Sequence, residues 1–204
     1  KLKTTSSGID VTGSVTAVGS ISVTGAAPRL ELYESDTTDL SGRIDSSGGD
    51  LNIKTIADDG GSQKTRIKVD HSGGDISFYE DTGTTAKLTW DASAESLNFA
   101  DNGKAIFGAG SDLQIYHDSS TNDSIITETG AGNLVLQGDS LRLTNTSGVR
   151  YLQGNSGAEV NLWHNGNKKL ETTSTGIDVT GVITTDGMTT SADINFGDND
   201  KAIF

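Results

Sequence analysis

The chain has 204 residues and a mass of 21.2 kDa, with only 32% hydrophobic and 5% aromatic residues and a formal charge of −13. So low an apolar content excludes a large core inside a single chain. The scarcity of Lys and Arg argues against binding to nucleic acids or anionic membranes. The chain has no Cys, which excludes disulfides and thiolate metal sites, and no apolar run reaches the roughly 18 residues of a membrane span. We therefore expect a chain that gains its stability by association.

The residue pattern predicts an all-β fold. Gly occurs 26 times, and Thr, Ser, Asp and Asn are also abundant, which favours turns and short strands. No segment keeps apolar residues at i, i+3, i+4 spacing for three helical turns. Helices are therefore not expected.

Long internal repeats begin at the first residue. The segment KLKTTSSGIDVTGSVTAVG (1–19) returns as KLETTSTGIDVTGVITTDG (169–187) with 13 of 19 positions identical. LNFADNGKAIF (97–107) returns as INFGDNDKAIF (194–204) with 8 of 11 identical. Such self-similarity predicts a repeat architecture. Because the second copy stops where the first continues into GAGSDLQIYH, we expect the sequence to be an excerpt of a longer protein.

Shorter units lie within the long repeats. Each opens with an alternating apolar strand that ends in an aromatic residue followed by Glu or His, then a turn segment and a second short strand. This pattern predicts a β-hairpin, most clearly at Asn165-Gly166, where both residues accept the positive φ of a type I′ turn. The aromatic residues are Tyr33, Tyr79, Tyr116 and Trp163. The units are residues 30–75, 76–112, 113–159 and 160–204, and residues 1–29 form the end of a preceding unit.

A third strand is predicted in each unit, after another corner of small residues. Its alternate apolar residues form a face too thin to bury much surface against the same short unit. Three chains around one axis would cover that face, and Asn52 and Asn98 would then point outward. We predict one repetitive, elongated segment over residues 1–204, an intertwined trimeric β-helix or β-prism fibre built of short hairpins and strands. The candidate trimer-core residues are Leu51, Ile53, Leu97, Phe99, Leu134, Leu136, Ile177 and Val179.

A single-chain parallel β-solenoid is the alternative architecture. A solenoid favours coils of regular length, whereas the units here start 46, 37 and 47 residues apart. The longer units carry additional strand-like segments at Thr65–Val69, and at Leu141–Thr144 with Val149–Leu152. Hairpins also require antiparallel pairing, so the trimeric fibre is preferred.

Several strings resemble the repeats of bacteriophage tail fibre proteins, especially those of viruses of aquatic bacteria. They are FGAGSDLQIYHD (107–118), HNGNKKLETTSTGIDVTG (164–181) and the segment Gly181–Gly187. The resemblance covers nearly the whole chain and lies in the style of the repeat. It implies a homotrimeric extracellular appendage of the virion tail, attached to other tail proteins, that contributes to host attachment. The expected function is a rigid structural shaft.

A glycan-binding fibre or adhesin is the first alternative function, because the repeated aromatic rings could stack on sugars of the host surface. Aromatic residues at strand ends more often pack across strands. A bacterial adhesin or another extracellular filament has a compatible composition.

A polysaccharide-depolymerase tailspike is the second alternative, and it would need two carboxylates facing each other in a cleft. The chain shows no catalytic motif, so we predict no enzymatic activity and no cofactor. His117 and His164 share a slot that Glu34 and Glu80 occupy in the other units, and no His-x-His pair occurs. No metal site is therefore predicted.

Overall fold

The structure is a computed structural model that describes residues 2–6, 8–34 and 41–190. Over these residues it contains 17 β-strands in antiparallel sheets and no helix. The prediction of an all-β fold is confirmed. The described part of the chain accordingly offers no helix with the length and hydropathy that a membrane crossing requires.

The strands belong to two structural units, within residues 1–134 and 135–204. Every sheet is a meander, in which strands consecutive in sequence are hydrogen-bonded neighbours. The first unit has a two-stranded sheet of β1 (Leu2–Thr5) and β2 (Gly8–Val11). Its seven-stranded sheet consists of β3 (Arg29–Leu32), β4 (Ser41–Ser47), β5 (Asp50–Ile56), β6 (Gln63–Val69), β7 (Ile76–Tyr79), β8 (Ala86–Asp91) and β9 (Ser96–Phe99). Its three-stranded sheet consists of β10 (Lys104–Phe107), β11 (Leu113–Asp118) and β12 (Asp123–Glu128).

The second unit has one five-stranded sheet. Its strands are β13 (Ser140–Thr144), β14 (Arg150–Asn155), β15 (Val160–His164), β16 (Asn167–Thr173) and β17 (Gly176–Val179). The additional strands predicted in the longer repeats are present. They are β6 in the repeat at residues 30–75, and β13 and β14 in the repeat at residues 113–159. The sheets extend across the repeat boundaries, because β14 of one repeat pairs with β15 of the next.

The hairpins predicted at the start of each repeat are present. They are formed by β3 with β4, β7 with β8, β11 with β12 and β15 with β16. At the last of these turns Asn165 and Gly166 have φ angles of 48° and 75°, as a type I′ turn requires. The predicted turn after β3 falls on residues 35–40, which lie outside the described residues.

The long sequence repeat is also a structural repeat. Leu2 pairs with Val11 in the first copy, and Leu170 pairs with Val179 at the same register in the second. Of the shorter pair, residues 97–107 contribute to β9 and β10, while the copy at 194–204 lies outside the described residues.

The third strand predicted at Leu134–Leu136 is wrong for the single chain, because these residues lie outside any strand. In the other repeats a tight corner reverses the chain so that the third strand pairs with the second. After β12, however, the Thr129 amide donates to the carbonyl oxygen of Asp112 at 2.7 Å, and the Thr129 hydroxyl donates to that of Ser111. These bonds extend the β11–β12 hairpin by one residue, past the start of β11, and residues 131–139 beyond it form no strand.

Carboxylates hold several of the turns. The Glu80 carboxylate accepts hydrogen bonds from the hydroxyl of Thr82 and from the backbone amides of Thr82, Thr84 and Thr85, the last two at 2.9 and 3.0 Å. These donors, the Thr82 hydroxyl foremost, hold the pKa of Glu80 far below its ordinary value. A carboxylate bound in this way fixes a turn as long as it stays ionised.

Acid should therefore loosen the turn that follows β7. Because the folded-state pKa of Glu80 is depressed, its stabilising contribution is complete above the unfolded-state value near 4.5 and is lost as the pH falls below it. We expect the melting temperature to hold between about pH 7 and pH 5 and to fall at lower pH. Glu80→Gln should lower the melting temperature near neutral pH and flatten the fall in acid.

Melting followed by circular dichroism across this pH range measures the effect. Asp81→Asn is the matched control, because the neighbouring Asp81 side chain is 92% exposed. Identical acid profiles for the two variants would contradict the assignment of Glu80 as the turn anchor.

Candidate assembly interface

The register of the seven-stranded sheet aligns apolar residues into two rows. Residues paired directly across antiparallel strands project from the same face, so each row can be followed from strand to strand. One row takes an apolar residue from every strand: Leu30, Ile44, Ile53, Ile67, Phe78, Leu88 and Phe99. The second row, two residues further along the strands, contains Leu51, Val69, Ile76, Trp90 and Leu97. We call these twelve residues the apolar stripe.

The apolar stripe is uncovered in the single chain. Eight of its side chains are between 38% and 53% exposed, and the other four are half-buried. Within the described residues Ile56, at 2%, is the one apolar side chain that is fully buried. Covering the stripe would remove roughly 800 Å² per chain from water, about one partner's share of a standard protein interface. The stripe holds no charged residue, so its burial would leave no ion unpaired.

The opposite face of the same sheet is mostly polar, and Ile56 is buried on it, on the same side of β5 as Asn52 and Lys54. Its central row contains Arg29, Asp45, Asn52, Lys68, Ser77, Thr89 and Asn98. Two cross-strand ion pairs lie on this face: Lys54 Nζ lies 2.7 Å from Asp45 Oδ2, and Lys68 Nζ lies 3.2 Å from Asp50 Oδ2. Burying this face against a partner would cost the desolvation of several ion pairs. The apolar stripe is therefore the side of the sheet suited to association.

Asp45 is held by three neighbouring side chains on the polar face. Only 6% of the residue is exposed, and burial raises the pKa of its carboxyl group. Hydrogen bonds from Lys54, Ser47 and Asn52 outweigh that effect and hold the pKa below its ordinary value. Asp45 thus ties β4 to β5 as an anion.

The five-stranded sheet of the second unit, taken by itself, has the same two-faced character. The strand pairing aligns one apolar residue from each strand into a row on one face. The neighbouring residues of the same strands, which are polar, form a row on the opposite face. The apolar row contains Leu143, Leu152, Leu162, Leu170 and Val179. The polar row contains Arg142, Gln153, Asn161, Glu171 and Asp178. The shared pattern means that each unit, described by itself, has an apolar face that is largely exposed.

The three-stranded sheet also has an apolar row, but its other face is mixed, with Ile106, Tyr116 and Ile125 beside Lys104, Gln114 and Thr127. Ala105, Ile115 and Ile126 are paired across its strands, and Phe107 pairs with Leu113 on the same face. Ile115 is 43% exposed and Ile126 is 57% exposed. This face is also uncovered in the single chain.

The structure brings together four of the predicted trimer-core residues. Leu51, Ile53, Leu97 and Phe99 all lie in the apolar stripe, and Val179 lies in the apolar row of the five-stranded sheet. Ile177 is two residues from Val179 on the same face and is 66% exposed. Leu134 and Leu136 lie outside the strands and so share no sheet face with the others. Their contact with other chains stays a prediction.

Asn52 and Asn98 lie on the polar face, opposite the apolar stripe. Asn98 is exposed, but Asn52 is only 7% exposed. The Asn52 amide donates to Asp45 Oδ1 at 3.1 Å and is covered by the polar side chains around it. Its low exposure therefore reflects a local hydrogen-bond network, and not an inward orientation.

Sequence reasoning missed more than half of the apolar stripe. Besides the predicted positions, it contains residues from the hairpins and from the additional strand, among them Ile44, Ile67, Phe78, Leu88 and Trp90. The strand register could have identified them from the sequence. Each hairpin turn fixes which residues of its two strands lie opposite each other, and tracing these pairs from one turn to the next aligns the apolar positions.

The repeated aromatic residues are distributed over three different sheets. Tyr33 and Tyr79 belong to the seven-stranded sheet region, Tyr116 to the three-stranded sheet and Trp163 to the five-stranded sheet. By strand alternation, Tyr79, Tyr116 and Trp163 point away from the apolar faces.

Neighbouring polar groups engage three of these rings. Lys104 Nζ lies 4.2 Å from the centre of the Tyr116 ring, and the Arg150 guanidinium lies 5.3 Å from that of Trp163. The Tyr33 hydroxyl donates to Glu31 Oε2 at 3.0 Å. These contacts favour cross-strand packing over an open platform for sugar stacking.

A cavity of about 320 Å³ lies beside the turn between β14 and β15. It is lined by Gly157, Ala158, Glu159, Thr172, Thr173 and Ser174. Glu159 is the one carboxylate in that lining, so this cavity lacks the facing pair of carboxylates that glycoside hydrolysis uses. Its geometry gives no support to a depolymerase.

Among the described residues no three His, Asp or Glu side chains come together in a group that could hold a metal ion. The absence of metal and cofactor in the functional protein stays a prediction. No protein-family model matches the chain, and no curated protein is significantly similar to it.

Proposed function

We propose that the chain is a structural subunit of a viral tail fibre, in which three copies form a rigid, elongated shaft that supports attachment to the host cell. The observation that carries this proposal is the exposed apolar stripe on a sheet whose other face is mostly polar and carries cross-strand ion pairs. Such a sheet gains stability when its apolar face meets other copies of the chain. The shaft has no catalytic role and needs no cofactor.

The proposed number of chains and their location in a virion tail are based on the sequence repeats. A second copy laid face to face could also cover the stripe, as in a β-sandwich. Three copies are favoured because the repeats resemble those of phage tail fibres, which implies a homotrimer, a location in the virion tail and contact with other tail proteins. The polar faces then form the outside of the shaft, where they meet water and the host surface.

The first test is the mass in solution. We expect light scattering at micromolar concentration to give three times the 21.2 kDa of one chain, with β-type circular dichroism. A folded monomer would contradict the proposal, and a dimer would contradict the trimeric shaft.

The same preparation tests the absence of metal dependence and of activity. Excess EDTA should leave the melting temperature unchanged to within about 5 °C, since hydrogen bonds and apolar burial are expected to hold the assembly. Incubation with host capsular polysaccharide should release no oligosaccharide. Saturable release would instead identify a depolymerase.

A further inference from the structure

The apolar stripe is long in one direction and narrow in the other. It crosses seven strands, and six interstrand spacings of about 4.8 Å give a length of roughly 29 Å. Its two rows are two residues apart along the strands, which is about 7 Å. The long direction therefore runs across the strands.

Two β-bulges mark one border of the stripe. The register shifts after Ile53 in the pair of β5 and β6 and after Phe78 in the pair of β7 and β8, which leaves Arg66 and Lys87 as the additional residues. Both bulges lie directly beside the first row, on the side away from the second row. Because a bulge bends its strand and increases the local twist, the direction of the sheet surface changes at this line. Beyond this border the next row contains Leu32 but otherwise Gly42, Thr55 and Lys64, so most of the apolar surface lies in the two rows.

From these dimensions we infer how the copies are aligned; the inference rests on the proposed trimeric shaft. The stripe lies parallel to the threefold axis, and the strands therefore run roughly perpendicular to that axis. The partners are two further copies of the chain, in parallel orientation and at the same height along the axis. In this direction two neighbours cover the narrow surface along its full length. Cyclic symmetry relates the copies by rotation alone, so every stripe residue lies at the level of its own equivalents.

The alignment predicts which residues meet. Ile44 in β4 and Leu88 in β8 belong to the same row but are four strands, or about 19 Å, apart along the stripe. In a parallel assembly in register, Ile44 of one copy lies next to Ile44 of another, and Leu88 next to Leu88. In an antiparallel or shifted assembly, residues from different strands would meet instead.

Single cysteines can test this directly because the full chain contains none of its own. Ile44→Cys and Leu88→Cys chains, carrying tags of different size, are assembled separately and together and treated with a short bismaleimide. We expect each variant to cross-link to its own kind in most assemblies, and the mixed pair to be at least tenfold rarer. Thr89→Cys is the matched control: it neighbours Leu88 in β8 but projects from the polar face, and it should cross-link at least tenfold less than Leu88→Cys.

The outcomes separate this inference from the proposed function. A monomeric native chain overturns both. A trimeric native chain with mixed cross-links above the like pairs, or with Thr89→Cys cross-linking as well as Leu88→Cys, overturns the alignment alone. If either cysteine variant fails to assemble, Val69→Cys replaces it, because Val69 lies in the second row and loses little volume in this change. The absence of Val69→Cys cross-links in assembled trimers would then also overturn the alignment.

Discussion

Ile53→Asp is expected to abolish self-association while leaving the β-structure of the single chain in place. Ile53 lies in the first row of the apolar stripe, between Ile44 and Ile67 on the neighbouring strands. In the single chain it is 40% exposed, so a carboxylate at this position stays in contact with water. In the proposed trimer three such carboxylates would be buried without cationic partners.

The expected effect is large. Each buried Ile contributes on the order of 2 kcal/mol, and each unpaired carboxylate adds a further penalty. A loss of at least about 4 kcal/mol per trimer weakens assembly roughly 1,000-fold. Light scattering should show the mass falling from three chains to the 21.2 kDa of one, with little change in circular dichroism.

Asn98→Asp is the control for this change. It introduces the same carboxylate into a strand of the same sheet, but Asn98 is exposed on the polar face. The variant should assemble like the native chain. Equal losses of assembly in the two variants would show that the polar face also takes part in the contact.

Asp45→Ala is expected to produce the largest loss of stability on the polar face. Removing this carboxylate takes a partner from Lys54 and from Asn52, which are both largely covered by their neighbours. Removing one member of a buried ion pair typically costs about 3 to 5 kcal/mol, and the partial exposure of this pair favours the lower end. A loss of about 3 kcal/mol corresponds to a melting temperature roughly 6 to 12 °C lower.

The effect should depend on pH in a defined direction. The pKa of Asp45 is depressed in the folded chain, so its stabilising contribution is present above its ordinary value of 3.8 and disappears as the pH falls below that value. The difference in melting temperature between the native chain and Asp45→Ala should shrink accordingly in acid. Asp123→Ala, which removes an exposed carboxylate at the start of β12, should change the melting temperature by no more than about 2 °C. A difference that is constant from neutral pH into acid would rule out the ionised carboxylate as the source.

The residue pattern alone determined the local structure. Alternating apolar residues predicted the strands, and turn residues such as Asn165 and Gly166 predicted where hairpins close, because positive φ angles and tight reversals depend on the residues at the turn itself. The same alternation correctly separated Leu51 and Ile53 from Asn52. The two copies of the long repeat adopt the same hairpin at the same register for the same reason.

Only the tertiary structure decided which strands pair and where the apolar surface is continuous. At Leu134 the pattern of a third strand is present, but the chain leaves the β11–β12 hairpin at Thr129 without a tight corner, and no strand forms there. The rows of the stripe join residues as far apart in sequence as Leu30 and Phe99, and the bulges at Arg66 and Lys87 mark one border of the stripe. Register accumulates over successive strand pairs, and one additional residue in any strand changes which side chains lie opposite each other. Local patterns determine strands and turns, whereas the assembly face depends on the sum of all the pairings.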